Sequence, residues 1–109
     1  MDMNEALSLY CDKSDQEKMK ILARLSHQLT ILARGTYELE SDDLSAPKKL
    51  RCINEIMHRV LGQLNKYLNS DSSRYPDQLF IKMIFDMAGS CQFEDELLSG
   101  FTDTFEFCR

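Results

Sequence analysis

The chain has 109 residues, 43% of them hydrophobic and 28% charged, with four glycines and two prolines. That length suits one domain with a core of its own, and the composition excludes a disordered chain and disfavours turn-rich β structure. The formal charge is −5, which argues against nucleic-acid binding, because holding a phosphate backbone needs clustered Lys and Arg.

Taken in order, residues 3–11 carry Ala6, Leu7, Leu9 and Tyr10 and suit a short leading helix that needs tertiary support to persist. Ser14 with Glu17 three residues on is a capping box, and Asp15 and Glu17 place negative charge at the positive end of a helix dipole. The first long helix therefore starts near Asp15. Its stripe, Leu22, Leu25, Leu29, Leu32 and Leu39, is interrupted only at Thr36 and has coiled-coil period. Gly35 costs roughly 1 kcal/mol relative to alanine without ending the helix. Residues 40–46 form a polar connector, and Pro47 opens the next helix, where its missing N–H costs nothing. Leu50, Ile53, Met57, Val60, Leu64 and Tyr67 give that helix an unbroken seam to about Leu68.

Asn69 to Arg74 is a second polar break, and Tyr75-Pro76-Asp77 opens a third helix whose apolar residues, Leu79 to Ala88, wrap most of its circumference. Gly89-Ser90 marks its end. Phe93, Leu97, Phe101 and Phe105 at steps of four make a last helix, weakened by Gly100. The fold class is all-α: one helical domain over residues 1–109, a bundle made of a long antiparallel hairpin (15–39 and 47–68) and two shorter helices packed across it. The shorter helices cannot cover the hairpin's full length. Ile21 and Ile31 lie off the main seam and give the first long helix a second apolar face, so a homodimer through the hairpin is expected.

Charge and cysteine placement bound the chemistry. Residues 1–75 hold eleven acids and eleven bases, whereas residues 76–109 hold seven acids against Lys82 and Arg109. That acidic third reads either as a solvated face or as a surface for a basic or neutral protein partner. Cys11, Cys52, Cys91 and Cys108 stand singly, with no Cys-x-x-Cys and no histidine at ligand spacing, so reduced thiols are expected and no metal, cofactor or redox motif. The start lacks the basic and apolar regions of a signal peptide, and the longest apolar stretch is broken by Lys82 and Asp86. A cytoplasmic protein without membrane contact is the expectation.

Glu55-Ile-Met-His58 is a single Glu-x-x-His, whereas di-iron bundles use that element in duplicate with two further inward glutamates. A solvated pair, with Glu55 also reaching Arg59, is expected instead. In a hairpin closing near residue 43, His27 comes level with His58 and Arg59, and Arg34 with Cys52. His27, Thr30, Arg34 and Tyr37 then share an edge with Arg51, Asn54, Glu55 and His58. His27, Arg34, Asn54 and His58 are thus candidates for a cleft taking a small ligand, set against an interhelical hydrogen-bond network or plain solvated faces. Lys48, Lys49 and Arg51 crowd the first turn of the second long helix, the unfavourable end for cations, and form a candidate anion site unless Asp42 and Asp43 pair with them. The Phe-rich acidic tail reads as an exposed docking helix or as core aromatics.

No nucleophile elbow, phosphate loop or activated cysteine is present, so no enzymatic activity is expected. The strings from Leu22 to Glu38 and from Ile53 to Val60 are similar to strings in short bacterial helical proteins of no assigned function. That resemblance implies a bacterial cytosolic origin and carries over no site residue. The functional expectation is a small non-catalytic helical protein acting through protein–protein contacts, with regulation as one form of it. The alternative is a binder of a small ligand, anion or metal on the polar edge of the hairpin.

Overall fold

A computed structural model describes residues 1–38, 46–69 and 75–108, and within them the chain forms α1 (Met3–Cys11), α2 (Asp15–Glu38), α3 (Ala46–Leu68), α4 (Asp77–Ser90) and α5 (Glu94–Phe107). The all-α bundle built on a long hairpin is as predicted, and the leading segment is a helix. Leu39, Asp42, Asp43, most of the expected connector and most of the second polar break lie outside the described residues. No helix among the described residues is long and apolar enough to cross a membrane.

Local chemistry sets the helix ends. The Asp2 carboxylate accepts from the Glu5 N–H at 2.8 Å and caps α1. At α2 the capping box forms in both directions: the Glu17 N–H donates to Ser14 Oγ, and Glu17 Oε1 accepts from the Ser14 N–H, each at 3.2 Å. These bonds favour the charged carboxylate and hold Glu17 below its ordinary value, the Ser14 hydroxyl contributing most. Gly35 sits inside α2, which continues past it to Glu38. α4 ends in a Schellman turn, with the Phe93 N–H on Ala88 O at 2.7 Å and the Gln92 N–H on Gly89 O at 3.2 Å. The left-handed residue in that turn is Gln92, at φ 55°, rather than a glycine.

One apolar cluster runs through all the described helices, from Ala6 and Tyr10 through Leu22, Leu25 and Leu29 to Phe80, Phe85 and Phe101. The tail aromatics are core: Phe93, Leu97 and Phe101 are buried, and Phe85 and Phe101 stack with centroids 5.4 Å apart. Phe107 is exposed, with the Arg24 guanidinium 3.9 Å from its ring centroid. α5 approaches α2 at Gly100, where an added Cβ would lie 3.8 Å from Leu25 and Gln28.

Two expectations from periodicity change. Ile21 is 1% exposed and belongs to the core, because α5 packs on α2 there; it offers no dimer face, whereas Ile31 is 49% exposed. On α3 the buried arc includes Cys52, Ile56 and Gln63, all off the predicted seam, while Leu50, Met57 and Leu64 are only half-buried. The reason is that α3 packs against α2 on one flank and α4 on the other, so its buried arc centres between the two.

Candidate functional site

The structure divides the predicted polar edge: Arg51 and Glu55 border the side of α3 that faces α4, whereas His27, Thr30, Arg34, Tyr37, Asn54 and His58 are exposed on the hairpin. On α2, Ala23, His27, Thr30, Arg34 and Tyr37 follow one another at steps of three and four and are all exposed. Asn54, His58, Leu61, Asn65 and Leu68 do the same on α3. Thr30 Oγ1 lies 3.9 Å from Met57 Sδ, which puts the two stripes side by side across the α2–α3 seam. His27, Arg34, Asn54 and His58 all lie on these two exposed stripes. Among the described residues no hydrogen bond or ion pair links His27, Arg34, Asn54 and His58 to one another, so they share a face without forming an interlocked cleft.

The basic first turn of α3 is divided by its neighbours. Lys49 Nζ approaches Glu96 Oε1 of α5 at 3.8 Å, an exposed ion pair of small energetic weight. Lys48 and Arg51 instead border a cleft of about 330 Å³ between α3 and the end of α4, lined also by Cys52, Glu55, Met87 and Cys91. A second groove, about 370 Å³, runs between α1, α2 and α5 past Leu9, Ile21 and Phe105. Among the described residues no group of three or more His, Cys, Asp or Glu side chains is placed to hold a metal ion.

The sequence reading missed the polar cluster at the other end of the bundle. Lys18 of α2 donates to Asp77 Oδ2 at 2.6 Å, the Tyr67 hydroxyl of α3 donates to Asp77 Oδ1, and the Tyr10 hydroxyl of α1 donates to the Tyr67 oxygen at 3.4 Å. The Lys18 ammonium also lies 5.8 Å from the centroid of the Tyr10 ring. Four helices thus contribute one side chain each. Burial, and then the Tyr67 hydroxyl, push the Tyr10 phenol far above its ordinary value, which keeps it a neutral donor. Cys11 beside it is also raised, first by desolvation and then by the Asp77 carboxylate.

This cluster is a clasp. Each Asp77 oxygen already accepts a strong donor, so the carboxylate is engaged in holding α2 and α3 to the start of α4. Gln63 adds to the same task, its amide donating to Tyr75 O at 2.8 Å just ahead of α4. A signal existed in the sequence: Tyr67 is a hydroxyl at a seam position, and a buried hydroxyl needs a partner. Nothing in the spacing named Lys18 or Asp77 as that partner, since Asp77 also reads as an ordinary first-turn acid.

No family model, no curated protein and no solved structure matches this chain.

Proposed function

We propose that the protein is a non-catalytic helical module that works through protein–protein contacts, beginning with a homodimer formed by the outer face of the α2–α3 hairpin. The observation that supports this reading is the pair of exposed stripes that the rest of the bundle leaves uncovered. α5 packs on α2 and α4 on α3 from the opposite side, while Tyr37, Leu61 and Leu68 remain 72%, 45% and 64% exposed. Leu61 and Leu68 are two turns apart on one line of α3, the spacing of helix-to-helix contact.

The light charge of this face does not oppose a second copy as the occupant. The two stripes contain Arg34 and two histidines, and the exposed Glu55 lies next to Asn54. The acidic excess of the chain lies in residues 76–109, on the helices behind the hairpin. A two-fold contact through the hairpin would let Leu61 of one protomer meet Leu68 of its partner and keep the acidic surfaces apart. On this reading His27, Arg34, Asn54 and His58 are the polar rim of an interface, and the protein acts as an interaction partner in the cytoplasm.

Native mass spectrometry and sedimentation equilibrium test it. A dimer that becomes a monomer in L61E/L68E, with unchanged helical circular dichroism, is the expected outcome. A wild-type monomer, or a dimer that survives the double substitution, would overturn it.

A further inference from the structure

Cys52 and Cys91 belong to no sequence motif, yet the packing of α4 on α3 makes their side chains neighbours in one cleft. The turn that ends α4 shows how. The Cys91 N–H bonds back to Ala88 O at 3.2 Å, so the Met87 carbonyl lacks the partner four residues on that an α-helix would give it. Cys52 Sγ donates to that carbonyl at 3.3 Å, and Ser90 Oγ, whose nearer acceptor is Asp86 O at 3.0 Å, also lies 3.3 Å from it. The Cys52 thiol is therefore held at the last turn of α4, one turn short of Cys91. Access to the two sulfurs differs, since Cys52 is buried and Cys91 half-buried. Lys48 and Arg51 outnumber Glu55 around the cleft and give it a positive balance.

We propose that Cys52 and Cys91 form a thiol pair that closes to an intramolecular disulfide, with an anionic low-molecular-weight disulfide such as glutathione disulfide as the oxidant. Cys91 is the sulfur that an incoming reagent meets first. Its thiolate attacks one sulfur of the oxidant, forms a mixed disulfide and releases one thiolate. The Cys52 thiolate then attacks the Cys91 sulfur and expels the second thiolate. Both cysteine protons pass to solvent or to the released thiolates, and the two electrons leave on two molecules of reduced thiol. The second step is the slower one, because burial, and then the adjacent Cys91, push the Cys52 thiol up to about 12. Oxidation removes the proton that Cys52 gives to the Met87 carbonyl and replaces that hydrogen bond with a covalent tie from α3 to the α4–α5 turn.

Wild-type protein incubated with glutathione disulfide, quenched with a thiol-alkylating reagent and mapped by mass spectrometry gives the test. The expected product carries an intramolecular link between the peptides of Cys52 and Cys91, with the mixed disulfide at Cys91 appearing before it. Cys91→Ser abolishes the link, and Cys52→Ser accumulates the mixed disulfide at Cys91. A mixed disulfide at Cys91 that persists in the wild type would overturn the proposal. So would reaction confined to Cys11 and Cys108.

Discussion

Lys18 Nζ and Asp77 Oδ2 are 2.6 Å apart, with only 10% and 21% of their side chains exposed. This contact ties the first turn of α2 to the first residue of α4, elements between which the whole of α3 lies in sequence. Water is largely excluded there, so removing one partner leaves the other charge without its counterion. Lys18→Met should destabilise the fold by about 3 kcal/mol. The double variant K18M/D77N should lose less than the two single losses combined, because neither charge remains stranded. Urea unfolding of the four proteins measures the coupling, and strictly additive losses would contradict it.

Stability should fall in alkali. Tyr10 and Cys52 are both raised in the folded protein, first of all by burial, from ordinary values of 10.0 and 9.0. A raised acid keeps its proton in the folded state after the unfolded chain has lost its own, so the stabilisation is complete below the unfolded value and is lost as pH rises above it. The urea midpoint should therefore decline from about pH 9 upward. Cys52→Ala should flatten the lower part of that decline and Tyr10→Phe the upper part. A midpoint that stays constant through the same range would refute the assignment.

Two backbone positions are open to improvement. Gln92 holds a left-handed φ of 55° at the Schellman turn, a conformation that glycine adopts without the Cβ clash, so Gln92→Gly should stabilise by about 1 kcal/mol. Gly100 lies inside α5, and its added Cβ would make only ordinary contacts at 3.8 Å. Gly100→Ala should gain about 0.5–1 kcal/mol in helix stability. Thermal unfolding checks both, and a lowered melting temperature in either variant would count against the corresponding geometry.

Ile21 and Leu61 should separate folding from the proposed association. Ile21 is buried among the core residues and Leu61 is nearly half exposed, so one substitution type has opposite consequences at the two sites. Ile21→Glu should cost several kcal/mol, on the order of 3 or more, by burying an unpaired carboxylate. Leu61→Glu should leave the unfolding free energy of the monomer within about 0.5 kcal/mol of wild type while weakening the proposed dimer. Comparable unfolding losses in the two variants would show that Leu61 is not the surface residue described.

The sequence by itself determined what depends on near neighbours: helix type, the capping box of Ser14 and Glu17, the hairpin seam through Leu25, Leu29, Ile53 and Val60, and the outward placement of Glu55 and His58. These follow from helical period and from hydrogen bonds within one turn, which a linear chain displays directly. Only the tertiary structure decided which flank of each helix has a second neighbour. That is why Ile21, off the seam, is core, why the buried arc of α3 is centred past Met57, and why Lys18, Tyr67 and Asp77 meet. It also brought Cys52 beside Cys91, a proximity set by the docking of α4 on α3 rather than by their spacing. Contacts between residues far apart in the chain depend on the relative position of rigid helices, and periodicity within a helix carries no record of that position.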